Sequence, residues 1–200
     1  CSVQAAMQLT MPKSELKQRT VRVVSGEDLE PGALVGALSA SGYVRTEQVD
    51  GEGQFSLRGG IVDFFPPGKA EPVRVEFWGD SVDSISSFEI ESQRRTDVID
   101  EVSVTPSSEV LFESEEVLLE KIKDFSSHIK GKGATKIKAT LGEDVSKIEN
   151  GVRLSCLDRY LPLAYEQEET LFDYMSDCLF FVSESLGVKQ KAESSSKLLL

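Results

Sequence analysis

The sequence predicts an α+β protein with α/β character, built on a central, mainly antiparallel β-sheet with helices, and three observations predict it. Between Tyr43 and Pro106, six short segments rich in Val, Ile and Phe follow one another, separated by Gly, Pro and Asp, which is the texture of strands joined by tight turns. Apolar residues at helical spacing bracket this region on both sides. The 200 residues are 40% hydrophobic and 28% charged, enough for one large or two small folded domains.

Taken in order, residues 3–19 carry an apolar set broken by Pro12 and a charged run, and read as an incomplete element. Val21, Val23 and Val24 form a short strand that stops at Gly26. Pro31 opens a helix whose buried stripe is Leu34, Leu38 and Ala37, and Gly42 closes it. The six strand segments are YVRTEQV, QFSLRG, IVDFF, VRVEFW, SVDSISSFEI and VIDEVSV. Helix returns over EEVLLEKIKDFSSHI, with Leu118, Ile122 and Phe125 at helical spacing and acidic residues in the first turn, where the helix dipole favours them. The basic, glycine-containing run KGKGATKIK reads as a loop. Near the end, CLFFV, from Cys178 to Val182, has the composition of a buried, parallel-type strand.

Charge and cysteine usage exclude several functions. A net charge of −12 repels a phosphate backbone, and non-specific DNA binding comes almost wholly from Lys and Arg neutralising phosphates. The three cysteines, Cys1, Cys156 and Cys178, lack metal-ligand spacing and indicate neither a disulfide framework nor a zinc site, which suits a reducing cytoplasm. No apolar run approaches the roughly 20 residues that span a bilayer. A chain that starts at Cys1 and runs out in KLLL reads as a piece of a longer polypeptide.

Motifs for catalysis are lacking. A phosphate-binding loop needs GxxxxGK[ST], so that backbone amides cradle the phosphates and the lysine reaches them; PGKA at 67–70 and GKGATK at 131–136 both miss the hydroxyl residue after the lysine. Asp100 and Glu101 in IDEV read as solvated carboxylates on a strand. His128 compensates a helix C-terminus, and Asp80 and Asp83 read as turn residues rather than an acid/base pair. No catalytic, cofactor-binding or metal-ligating residue is assigned.

One face asks for a function. Side chains alternate across a strand, so Val73, Val75 and Phe77 share one side of VRVEFW while Arg74, Glu76 and Trp78 share the other. The second set carries the chain's single tryptophan among charged neighbours. Arg58 in QFSLRG emerges opposite the apolar pair Phe55 and Leu57. Arg and Trp are enriched at interface hot spots because both combine large contact area with directed bonding or stacking. The alternative is that Arg58 and Arg74 pair with Asp63 or Glu76 while Trp78 covers a small satellite core.

The run GYVRTEQVDGEGQFSLRGGIVDFFPPG, followed by PVRVEFWGDSVDSISSFEIESQRR, resembles the module shared by the transcription-repair coupling factors (Mfd) and the excision-repair helicase UvrB. The ESQRR stretch and RYLPLAYEQEETLFDYM resemble the coupling factors more closely. The resemblance is strongest over 42–106 and 160–182 and weakest over 114–151. It implies a UvrA-binding, UvrB-homology domain at 20–110, the end of a preceding helicase-like lobe at 1–19 and part of a second, degenerate helicase-like lobe at 111–200. It also implies a cytoplasmic DNA-repair protein whose UvrA partner is recruited to stalled RNA polymerase. DNA, RNA polymerase, ATP and Mg would be engaged by other domains, and the UvrA surface would be open to masking by the protein's own C-terminal region. The other family reading is a piece of a UvrB-type helicase with its ATP and DNA sites elsewhere. Carried over position by position, the UvrA contacts implied are Arg58, Arg74 and Trp78, the residues that strand alternation places together; Trp78 stands where the family often has Phe.

Overall fold

The structure is a computed structural model and describes residues 1–152 and 154–199. In chain order its elements are α1 (Val3–Ala6), β1 (Leu9–Thr10), α2 (Lys13–Arg19), β2 (Val21–Val24), α3 (Pro31–Ala40), β3 (Val44–Arg45), β4 (Gln54–Arg58), β5 (Ile61–Phe64), β6 (Val73–Trp78), β7 (Ser81–Phe88), β8 (Arg95–Ile99), β9 (Glu101–Val104), α4 (Glu115–His128), α5 (Ala134–Glu149), a 3-10 turn (Leu157–Tyr160), α6 (Leu161–Ala164), β10 (Glu169–Thr170), α7 (Leu171–Tyr174) and α8 (Ser185–Leu199). They fall into two compact units: Ser14–Glu113, and Cys1–Lys13 together with the chain from Ser114 onward. The two flanks, which the sequence divides between two lobes, therefore lie in one unit.

The central unit is a six-stranded sheet in the order β3-β4-β5-β6-β7-β8. Every pair is antiparallel except β3 with β4. Its inner face buries Phe55, Val62, Phe64, Val73, Val75, Val82 and Ile85 against Leu34 and Leu38 of α3 and against Val23, Val102 and Val104 of a separate β2–β9 ribbon. Removing that much apolar surface from water is the main drive to fold. On β7, Val82 and Ile85 both face this core although they stand three positions apart. A bulge at Asp83 absorbs the extra residue, since Phe77 opposes Val82 while Glu76 opposes Ser84. Gly42 ends α3 at φ +85 and passes 3.0 Å from Leu111 and Ser108, measured from where a Cβ would stand. Only glycine fits there without strain.

Several sequence expectations change. VIDEVSV is two strands: β8 stays in the large sheet and β9 leaves it to pair with β2, because the chain turns at Asp100. YVRTEQV shortens to the two residues of β3. Asp83 lies in the bulge rather than in the turn, which is Gly79–Asp80.

In the other unit, α4 starts at a Ser114 cap and packs on α5. Leu118 and Ile122 are buried as expected, but Phe125 is 46% exposed. Residues 134–138 of the expected loop are the first turns of α5; lysine is a good helix former, and only Gly131 and Gly133 turn the chain. Asp144 on α5 is buried and accepts from the Tyr160 hydroxyl at 2.7 Å and Arg159 Nη1 at 2.9 Å. β1 pairs antiparallel with β10, and the Tyr174 hydroxyl donates to the Met11 carbonyl.

The CLFFV run is not a buried strand. Leu179 is 88% and Phe181 92% exposed, and no described strand pairs with the run. Its backbone groups need a neighbouring strand to satisfy them, and composition alone does not supply one. No helix among the described residues is long and apolar enough to cross a membrane.

Candidate partner-binding face

The outer face of the six-stranded sheet is set by its register. One row across it is Ser56, Asp63, Arg74, Ser86 and Val98; the next is Arg58, Ile61, Glu76 and Ser84; Trp78 follows beyond Glu76, opposite Ser81. Arg58 and Trp78 are each the last strand residue before a two-residue turn, with Gly59 at φ +60 and Gly79 at φ +62 opening the turns. β4 and β6 both run antiparallel to β5, so both turns lie at one end of the sheet. Two strands of separation put Arg58 and Trp78 about 10 Å apart laterally.

Asp63 organises the face. Its carboxylate is completely buried and takes three guanidinium bonds: Arg74 Nε at 2.7 Å, Arg74 Nη2 at 2.9 Å and Arg58 Nη2 at 2.6 Å. Arg74 also donates from Nη1 to the Gln93 carbonyl at 3.2 Å and lies over the Phe88 ring, 4.7 Å from its centroid. The hydrogen bond to Asp63 raises the Arg74 pKa above its ordinary value. Gln93, at φ +57, donates to the carbonyl of Ile90. Phe88 belongs to a satellite core with Val49 and Phe65, against which Ile90 packs. Arg74, with 13% of its side chain exposed, thus ties the outer face to the loops that cover one end of it.

The three sequence-selected residues share this face with different exposures. Trp78 is 84% exposed and covers no core; the satellite core lies at the Arg74 end. The Arg58 side chain is 47% exposed, half in solvent and half on Asp63. Glu76 accepts from Ser84 at 3.0 Å and from Arg95, so the Glu76 charge is also paired. Sequence reasoning raised Asp63 only as an acid that Arg58 or Arg74 could meet; it missed Gln93, Phe88 and Arg95. It also missed Val98, 79% exposed on the same face, which strand alternation would have found had the β7–β8 register been known. Elsewhere among the described residues no group of three or more His, Cys, Asp or Glu is placed to hold a metal, and the three cysteines are free and exposed.

The family model of the UvrB interaction domain matches residues 21–110, the whole of this sheet and the β2–β9 ribbon. The chain is also 31% identical over 191 residues to the transcription-repair-coupling factor of Bacillus subtilis (strain 168) and 33% identical over 193 residues to that of Staphylococcus aureus (strain MRSA252). The chain is thus similar, over most of its length, to the transcription-repair-coupling factors. Those alignments take in 92% and 88% of the chain but 16% of each relative. The Arg58, Asp63, Arg74 and Trp78 cluster lies wholly inside the residues that this family model matches.

Proposed function

We propose that this UvrB interaction domain binds UvrA through the glycine-turn end of its outer face. The carrying observation is that Arg58 and Trp78 stand solvent-exposed at that end, over an outer face on which Asp63 is paired with Arg74 and Glu76 with Arg95. A large exposed indole beside a half-exposed guanidinium is the composition of an interface hot spot, and the family match covers these residues. Arg58 supplies charge-assisted hydrogen bonds, Trp78 a surface that is desolvated on docking, and Arg74 holds the face in shape from beneath. In the coupling context this contact recruits UvrA to a stalled RNA polymerase, and the flanking unit is part of a degenerate helicase-like lobe. The work of this part of the protein is recognition rather than catalysis, in keeping with a sequence that contains no GxxxxGK[ST].

Titration of the chain with purified UvrA tests the proposal. Micromolar or tighter binding is expected, and Arg58→Ala or Trp78→Ala should each weaken it at least tenfold, about 1.4 kcal/mol. Wild-type affinity in both variants refutes the assignment of the face. The same titration with a longer chain carrying the C-terminal domains tests masking, which lowers the affinity for UvrA.

A further inference from the structure

We infer that Asp63 is a positioning residue for the docking face, holding Arg58 in a fixed, outward-facing pose; the inference rests on the UvrA reading of that face. The charge balance around Asp63 carries it. A buried carboxylate needs one opposite charge and good geometry to be tolerated, and Arg74 supplies both through two parallel bonds from Nε and Nη2. Arg58 is a second guanidinium on a carboxylate that is already neutralised. The three groups sum to +1 in a chain whose net charge is −12.

That surplus charge has a direction. Arg58 uses Nη2 on Asp63, while nearly half of its side chain faces solvent. A guanidinium has five N–H donors in a rigid fork, so one edge rests on Asp63 while the others stay available to a partner. Asp63 is itself immobile, because it is completely buried and clamped by Arg74, which the Gln93 carbonyl and the Phe88 ring hold in turn. The rigidity of the satellite core is passed through Arg74 and Asp63 to Arg58. A side chain ordered before docking loses less freedom on docking. Lysine would carry the same charge but not a planar fork able to rest on Asp63 and face outward at once.

A double-mutant cycle on the 200-residue chain, read by titration with UvrA, tests this. Asp63→Asn should weaken binding at least fivefold in the wild-type background and less than twofold in an Arg58→Ala background. A residue that merely supported the fold would impose its loss in both. Arg58→Lys, at a half-exposed position that does not endanger folding, should lose at least fivefold and so covers the case in which Asp63→Asn does not fold. Wild-type affinity in Arg58→Lys, or an equal effect of Asp63→Asn in both backgrounds, overturns the positioning role while leaving the docking face intact. Wild-type affinity in Arg58→Ala also overturns the positioning role, and wild-type affinity in both Arg58→Ala and Trp78→Ala overturns the docking face with it.

Discussion

Asp63 and Arg74 face each other directly across β5 and β6, the carboxylate completely buried and the guanidinium bonded to both its oxygens, at 2.7 and 2.9 Å. This pair divides the outer face into a half that is locked to the fold and a half that is offered to solvent. Removing one member of a buried ion pair leaves the other uncompensated, which costs about 3–5 kcal/mol. Asp63→Ala should therefore be strongly destabilising in urea denaturation, because it strands Arg74. Arg58→Ala, which leaves the bidentate pair intact, should change stability far less.

Trp78 makes the opposite prediction. At 84% exposure it contributes little to the core, so Trp78→Ala should shift the unfolding free energy by no more than about 0.5 kcal/mol. A binding loss in this variant then reports on the interface and not on the fold. Thermal unfolding of the variant beside the wild type checks it.

Much of this was legible in the sequence, and within the central sheet the part that was not has a common cause. Strand alternation alone separates Val73, Val75 and Phe77 from Arg74, Glu76 and Trp78, because a period of two is a local property of one strand. The partner of Arg74 was not legible, since choosing Asp63 over Glu76 requires the register between two strands, which no single strand contains. The same limit explains the division of VIDEVSV between two sheets. Leu179 and Phe181 fail differently: an apolar run was read as buried from composition, whereas burial needs a neighbour that composition does not name.

Gly42 should be the least replaceable of two glycines at similar backbone angles. Gly26, at φ +82, has open space where a Cβ would go, whereas Gly42, at φ +85, meets Leu111 and Ser108 at 3.0 Å. The left-handed backbone alone costs an alanine about 1–2 kcal/mol. Gly26→Ala should lose that much and Gly42→Ala more, as read from denaturation midpoints at unchanged slope.

Alkaline pH should destabilise the protein through two tyrosines. Burial raises the phenol pKa of Tyr43, and burial together with the hydrogen bond to Asp144 raises that of Tyr160, both above the ordinary value near about 10. A group whose folded pKa is raised stabilises fully below its unfolded pKa, and that contribution is lost as pH climbs toward the folded value. Stability should hold up to about pH 10 and fall beyond it. Tyr43→Phe, which also removes the 2.8 Å bond to the Thr105 carbonyl, should lower stability at neutral pH and flatten part of the alkaline decline.

Backbone hydrogen exchange of the chain with and without saturating UvrA tests the central claim most directly, since it locates the contact without altering a side chain. The account predicts new protection at the Gly59–Gly60 and Gly79–Asp80 turns and along the adjoining ends of β4 and β6, with α4 and α5 unchanged. Protection confined to the helical unit, with both glycine turns exchanging as in the free chain, would contradict it.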